Sequence, residues 1–133
     1  KQDVVMEHVI LKVNMVVSGK QCARQAGVDE VAEMTVRCLL NTVPAALPGI
    51  VFLSGGQTPE LATAHLNSMN ANNSNLPWPL SFSYGRALQE PCLNAWQGKQ
   101  ENVEAAQKAL LHREKCNSLA CSGEYSTDME NTA

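Results

Sequence analysis

Pro48–Ser54 reads PGIVFLS, a short β-branched and aromatic run between a proline and the Gly55-Gly56 pair. Near-continuous apolar composition at this length predicts a strand in a sheet covered on both faces. Working outward, two further runs have the same character, Val9–Val16 and Leu80–Tyr84. The first holds one ammonium group, Lys12, inside VILKVNMVVSG. Helical patterns separate the three runs. In DEVAEMTVRCLLNT, residues Val31, Met34, Thr35, Cys38 and Leu39 recur at helical spacing, with Asp29 as the expected N-cap. Thr58-Pro59-Glu60 supplies a capping hydroxyl, a proline at the first helical position and an acid in the positive first turn. Ala62, Leu66 and Met69 then share one face, and the polar stretch NANNSNLP, Asn70–Pro77, ends that helix. A third helix is predicted over Arg86–Trp96 and a fourth over ENVEAAQKALLHREKCNSLA, with Ser122–Ala133 a frayed polar tail.

Strand, helix, strand, helix, strand, helix implies right-handed βαβ units and a parallel sheet. A complete (β/α)8 barrel takes about 250 residues, and this chain has 133. It therefore reads as about half of a barrel or as a small open sheet of undetermined closure, with exposed edges. Composition narrows the function. Hydrophobic residues make up 44% and charged residues 17%, which is globular rather than disordered composition. A net charge of -3 without any basic block argues against nucleic acid and against an anionic membrane surface. No apolar run reaches the roughly 18 residues of a membrane-spanning helix, and KQDVVMEH lacks the basic-then-apolar pattern of a secretory leader. Five cysteines at irregular spacing, with no CxxC pair, and three histidines far apart in sequence support neither a zinc site nor a disulfide framework. Reduced thiols and a cytoplasmic location are the expectation.

The polar residues gather where each strand ends. The second run finishes in Ser54-Gly55-Gly56, the third in Ser83-Tyr84-Gly85-Arg86, and Lys12 lies towards the end of the first. Taken singly, an SGG is a tight strand-to-helix turn and a lysine in an apolar run snorkels to water. Their coincidence at equivalent points of successive βα units carries more. Glycine backbone, helix N-termini and an arginine fork together suit an anion such as phosphate. A lysine at an apolar barrel mouth is desolvated, which favours the neutral amine that can attack a carbonyl.

LKVNMV, GIVFLSGGQ and SFSYGRAL, in this order and spacing, resemble the C-terminal half of class I fructose-bisphosphate aldolase. The resemblance continues through NTVPAALPGI, ATAHLNSMN, LPW, LNAW, ENVEAAQKALLHR and NSLA, and so covers essentially the whole chain, with a bacterial cast. It implies the fold class: α/β, the C-terminal portion of a (β/α)8 TIM barrel, about three βα units plus a C-terminal helix. Residues 1–133 would then form one partial barrel domain holding the sixth, seventh and eighth strands. The family cleaves fructose bisphosphate reversibly into dihydroxyacetone phosphate and glyceraldehyde 3-phosphate through a lysine Schiff base, with no metal and no cofactor.

By motif match, Lys12 would be the Schiff-base lysine. Ser54, Gly55, Gly56, Ser83, Gly85 and Arg86 would bind substrate phosphate. The implied partners are a sugar-phosphate substrate and, in the complete enzyme, other copies of the same subunit. Val13 replaces the family's proline and is expected to keep the backbone extended; His8 replaces a glycine and is expected to perturb packing. The family's remaining acid and base groups lie on earlier strands. The alternative is therefore a catalytically inactive aldolase fragment that at most binds sugar phosphates or associates with complete subunits.

Overall fold

A computed structural model describes residues 3–132. Strands β1 (Ile10–Val13), β2 (Gly49–Phe52) and β3 (Leu80–Phe82) form one parallel sheet in the order β1-β2-β3. Helices α1 (Val28–Thr42) and α2 (Pro59–Ala71) separate the strands, and α3 (Arg86–Trp96) and α4 (Val103–Cys121) follow the last. The α/β architecture and the three predicted strand positions are those of the sequence. No helix among the described residues is long and apolar enough to cross a membrane.

Each strand is shorter than its apolar run, because its partner departs. Leu53 N–H donates to the Val13 carbonyl at 2.9 Å, and Ser83 N–H donates to the Phe52 carbonyl at 2.8 Å. Beyond these last rungs no neighbouring ladder continues among the described residues. Val16 N–H instead donates to the Thr35 hydroxyl of α1 at 2.9 Å, which satisfies a backbone donor that would otherwise be stranded.

The register puts Leu11 opposite Ile50 and Ile50 opposite Leu80, with Val13, Phe52 and Phe82 aligned one step on. Side chains alternate across a strand, so these six share one face. That face meets the helices, and Ile50 and Phe52 are both 0% exposed. The opposite face holds Ile10, Lys12, Val51 and Ser81 and remains open; Ile10 is 58% exposed. Two-sided coverage, expected from the apolar runs, is thus corrected to one-sided coverage. With Val4 and Val5 also more than half exposed and β1 and β3 forming the sheet edges, the purified chain is expected to self-associate. Light scattering should report a mass above that of a single chain; a single-chain mass would count against this.

The α1 face is also rotated from the one expected. Val31, Ala32, Thr35, Val36 and Leu39 are buried, whereas Met34 is 37% exposed and Cys38 is exposed. The cause is a second neighbour: α1 packs beside α2, while its Val31, Ala32, Val36 and Leu39 join the core cluster with Ile50 and Phe52, so its buried stripe turns towards both. Asp29 is not the N-cap. Gly27 occupies that position, and the Asp29 carboxylate accepts a hydrogen bond from Ser68 of α2. The second helix starts as its sequence predicts, with the Thr58 hydroxyl accepting from Leu61 N–H and Pro59 at the first position.

The tail is ordered through its described residues rather than frayed. Gly123, at φ +72°, lets the chain leave α4 directly against α2; a Cβ there would sit 2.7 Å from the Ala71 Cα. Tyr125 N–H then donates to the Asn67 side chain, and a 3-10 turn follows at Thr127–Thr132. Ala133 lies outside the described residues.

Candidate functional site

Lys12 is the third residue of β1, level with Val51 and Ser81 across the sheet. Its side chain stands on the open face and is exposed. The apolar enclosure expected from sequence is therefore not supplied by residues 3–132, since no described element covers that face. Val13 keeps its strand conformation, pairing with Phe52, as the extended-backbone expectation requires. His8 does not crowd a strand: it ends a short 3-10 turn, Met6–His8, and is exposed.

Just past the strand ends, three segments converge. Asn14, two residues after Lys12, folds its side chain back to accept from Met15 N–H and lies against Gly55. Gly55 and Gly56 have φ +58° and +83°, a left-handed region that strains any residue with a Cβ. A Cβ on Gly55 would also fall 2.7 Å from Asn14 Oδ1, and one on Gly56 would lie 3.8 Å from Arg86 Nη2. The arginine fork from the third βα unit thus sits beside the glycine turn of the second. Among the described residues no side chain caps α3 at Gly85; the Leu88 N–H turns back to the Gly85 carbonyl, and the N–H groups of Arg86 and Ala87 stand at the helix start where an anion is favoured. Ser54 is buried at the root of its turn, Ser83 is half-buried, and Gly55, Gly56, Gly85 and Arg86 are exposed. Gly55→Ala is expected to lower stability by about 1–3 kcal/mol, the usual cost of left-handed backbone in a non-glycine residue. A urea midpoint equal to that of the unsubstituted chain would contradict it.

Three supporting residues were not picked out from the sequence. Tyr84, 5% exposed, sends its hydroxyl to the Ala62 carbonyl of α2 and packs on Phe82 with ring centroids 5.6 Å apart. Burial raises its phenol well above the usual value, so it acts as a neutral donor that pins the SYGR turn. Gln57 donates from its backbone and side chain to the Ser54 carbonyl, both at 3.0 Å. His65, 2% exposed on α2, contacts Gln57 Oε1 through Nδ1. A cleft of about 300 Å³ lies alongside, between the glycine turn and the segment from Val17 to Ala26, with Lys20 on its wall.

Among the described residues, His112, Cys116 and Glu130 bring three potential metal-ligand atoms within 4.8 Å of one another. The Arg113 guanidinium already bonds the same Glu130 oxygen, so a cation's place is taken by a side chain's positive charge.

Across residues 1–133 the chain matches the family described as fructose-bisphosphate aldolase class-I. The chain belongs to the class I fructose-bisphosphate aldolase family. A probable class 1 fructose-bisphosphate aldolase of Xanthomonas axonopodis pv. citri is 56% identical over 126 residues, covering 94% of this chain and 37% of that protein. The Dictyostelium discoideum fructose-bisphosphate aldolase is 55% identical over 122 residues, 92% of this chain and 34% of that one. Among solved structures, Plasmodium falciparum aldolase, in a ternary complex with TRAP and a small-molecule inhibitor, superposes with a TM-score of 0.85. It is 54% identical, over 88% of this chain and 33% of the other. The chain thus spans about a third of the length of these aldolases and matches their C-terminal part. Its three-stranded sheet and helices are a portion of the aldolase barrel.

Proposed function

We propose that these residues are the sixth, seventh and eighth βα units of a fructose-bisphosphate aldolase barrel and that Lys12 is its Schiff-base nucleophile. The supporting observation is the convergence at the strand ends, where the Ser54–Gly56 turn meets Arg86 on one side and the segment following Lys12 on the other. A phosphate held by Ser54, Gly55, Gly56, Ser83, Gly85 and Arg86 would fix a ketose phosphate with its carbonyl towards the strand that carries the amine. The Lys12 amine adds to that carbonyl, water leaves, and an iminium forms. Cleavage of the neighbouring carbon–carbon bond sends its electron pair into the iminium, giving an enamine and releasing the aldehyde as its hydroxyl proton departs. Protonation of the enamine carbon and hydrolysis then return the amine and free dihydroxyacetone phosphate. The family assigns the proton transfers to acid and base groups on earlier strands. A cytoplasmic homo-oligomeric enzyme is the corresponding whole-protein reading.

The open face favours a second reading for the chain by itself: phosphate and carbonyl capture without turnover. Lys12 is exposed rather than enclosed, and nothing expels water from an iminium formed there.

Sodium borohydride added with dihydroxyacetone phosphate tests both. The expected result is a reduced adduct mapped by mass spectrometry to Lys12 and lost in Lys12→Met. No adduct would overturn the nucleophile assignment. Adduct formation with no release of aldehyde from fructose bisphosphate would select the second reading.

A further inference from the structure

Gln57 sits between the glycine turn and α2, and the orientation of its side-chain amide can be deduced. The Ser54 carbonyl can only accept, so the Gln57 group facing it, 3.0 Å away, must be the NH2. The same NH2 lies 3.6 Å from Met15 Sδ, three residues beyond Lys12. Gln57 Oε1 therefore points the other way, at His65 Nδ1, 2.5 Å distant. An acceptor oxygen at that distance requires the proton on Nδ1. His65 Nε2 is then the unprotonated nitrogen; it is buried and, among the described residues, has no hydrogen-bond partner. Burial lowers the His65 pKa, which keeps that nitrogen bare at neutral pH.

The geometry points to His65 as a positioning residue: its Nδ1–H orients Gln57, and Gln57 clamps the Ser54–Gly56 turn to the end of the Lys12 strand. The functional part of this inference rests on the phosphate site proposed above; the relay itself is a statement about the free chain. An unoriented glutamine amide could flip, placing Oε1 against the Ser54 carbonyl, two acceptors face to face. The turn would lose its side-chain tie just where two left-handed glycines already make the backbone permissive. Without His65 the anion-binding N–H groups sample several orientations, and binding must first order them.

The test uses the full 15N-labelled chain and inorganic phosphate. In the free chain, the His65 ring is expected to show the Nδ1–H tautomer, and the Gln57 side-chain amide protons should exchange slowly. His65→Leu should abolish that protection and broaden the Gly55 and Gly56 amides. His65→Asn, whose Nδ2–H can stand where Nδ1–H stood, should restore both. On phosphate titration, His65→Leu should raise the half-saturating concentration at Gly55 and Gly56 at least fivefold, and His65→Asn should return it to within twofold. Should His65→Leu not fold, Gln57→Met cuts the relay from its half-buried end, and the Gly55 and Gly56 line shapes and the phosphate titration are read in it instead.

An Nε2–H tautomer, or Gln57 protection and Gly55/Gly56 line shapes unchanged in the relay-breaking variant, would overturn the inference whether or not phosphate binds. So would weakened binding that asparagine fails to rescue. If the unsubstituted chain shows no phosphate-dependent shifts while the turn still loosens in His65→Leu, the relay stands and the phosphate-site reading falls.

Discussion

Replacing Glu130 by alanine is expected to destabilise the chain by about 3 kcal/mol, since removing one partner of a buried ion pair strands the other. Arg113, on α4, is 3% exposed, and its guanidinium bonds Glu130 Oε2 through Nη1 and the Thr63 hydroxyl through Nη2. The Thr63 hydroxyl in turn donates to Asn117. This polar chain links α2, α4 and the tail, and Glu130 carries its single carboxylate. Its other oxygen accepts from the Tyr125 hydroxyl at 2.7 Å, and His112 Nε2 lies 3.1 Å from Oε2. Burial works to raise the Glu130 carboxyl, but hydrogen bonds from Arg113, Tyr125 and His112, with the guanidinium charge, outweigh it and hold the pKa below 4.5. A depressed acid contributes stability that is complete above its unfolded value and lost as pH falls through its folded one. The tail should therefore stay docked at neutral pH and release in acid, below about pH 4.5. Hydrogen exchange at the Tyr125 amide reads the docking directly. Protection at neutral pH equal in the Glu130→Ala variant would refute the latch.

Phe52→Ala is the second large effect, at about 3–5 kcal/mol. Phe52 is 0% exposed, occupies the central strand and faces the helices between Val13 and Phe82. No neighbour can collapse into the space, because the strands on both sides are fixed by the ladder. Against a typical total stability of about 5–15 kcal/mol, such a loss could unfold the chain outright. Val51 makes the contrast. It is the adjacent residue on the open face and half-buried, so Val51→Ala should cost only about 1 kcal/mol or less. Similar urea midpoints for the two variants would show that the sheet faces are not as unequal as their burial indicates.

The strand positions were legible because each is a short run rich in apolar or aromatic residues that ends in polar or glycine residues, and both signals are local. α3 was legible as a helix over about Arg86 to Trp96, the bounds it has, since a glycine-containing polar turn precedes it, although Pro91 lies within it. The strand-end motifs were legible for the same reason. What sequence could not show depends on partners distant along the chain. Nothing near His65 marks it as facing Gln57, and the composition of Ser122–Ala133 gives no hint that Arg113 awaits its glutamate. The α1 stripe was misplaced because a periodic pattern tells how many apolar positions exist, not that α2 presses from the side. Lys12 was expected to be enclosed by strands that these residues do not include.

Parallel pairing sets the order in which this chain can assemble. Ile10 must meet Gly49 across the whole of α1, and Ile50 must meet Leu80 across the whole of α2. Each register closes a long loop before its contacts repay the lost entropy, whereas α3 and α4 are neighbours in sequence and pack together at once. The helical hairpin should therefore form early and the Lys12 strand join late, so β1 has a long exposure to wrong partners during folding. The strand that bears the amine is thus the one expected to find its native place last.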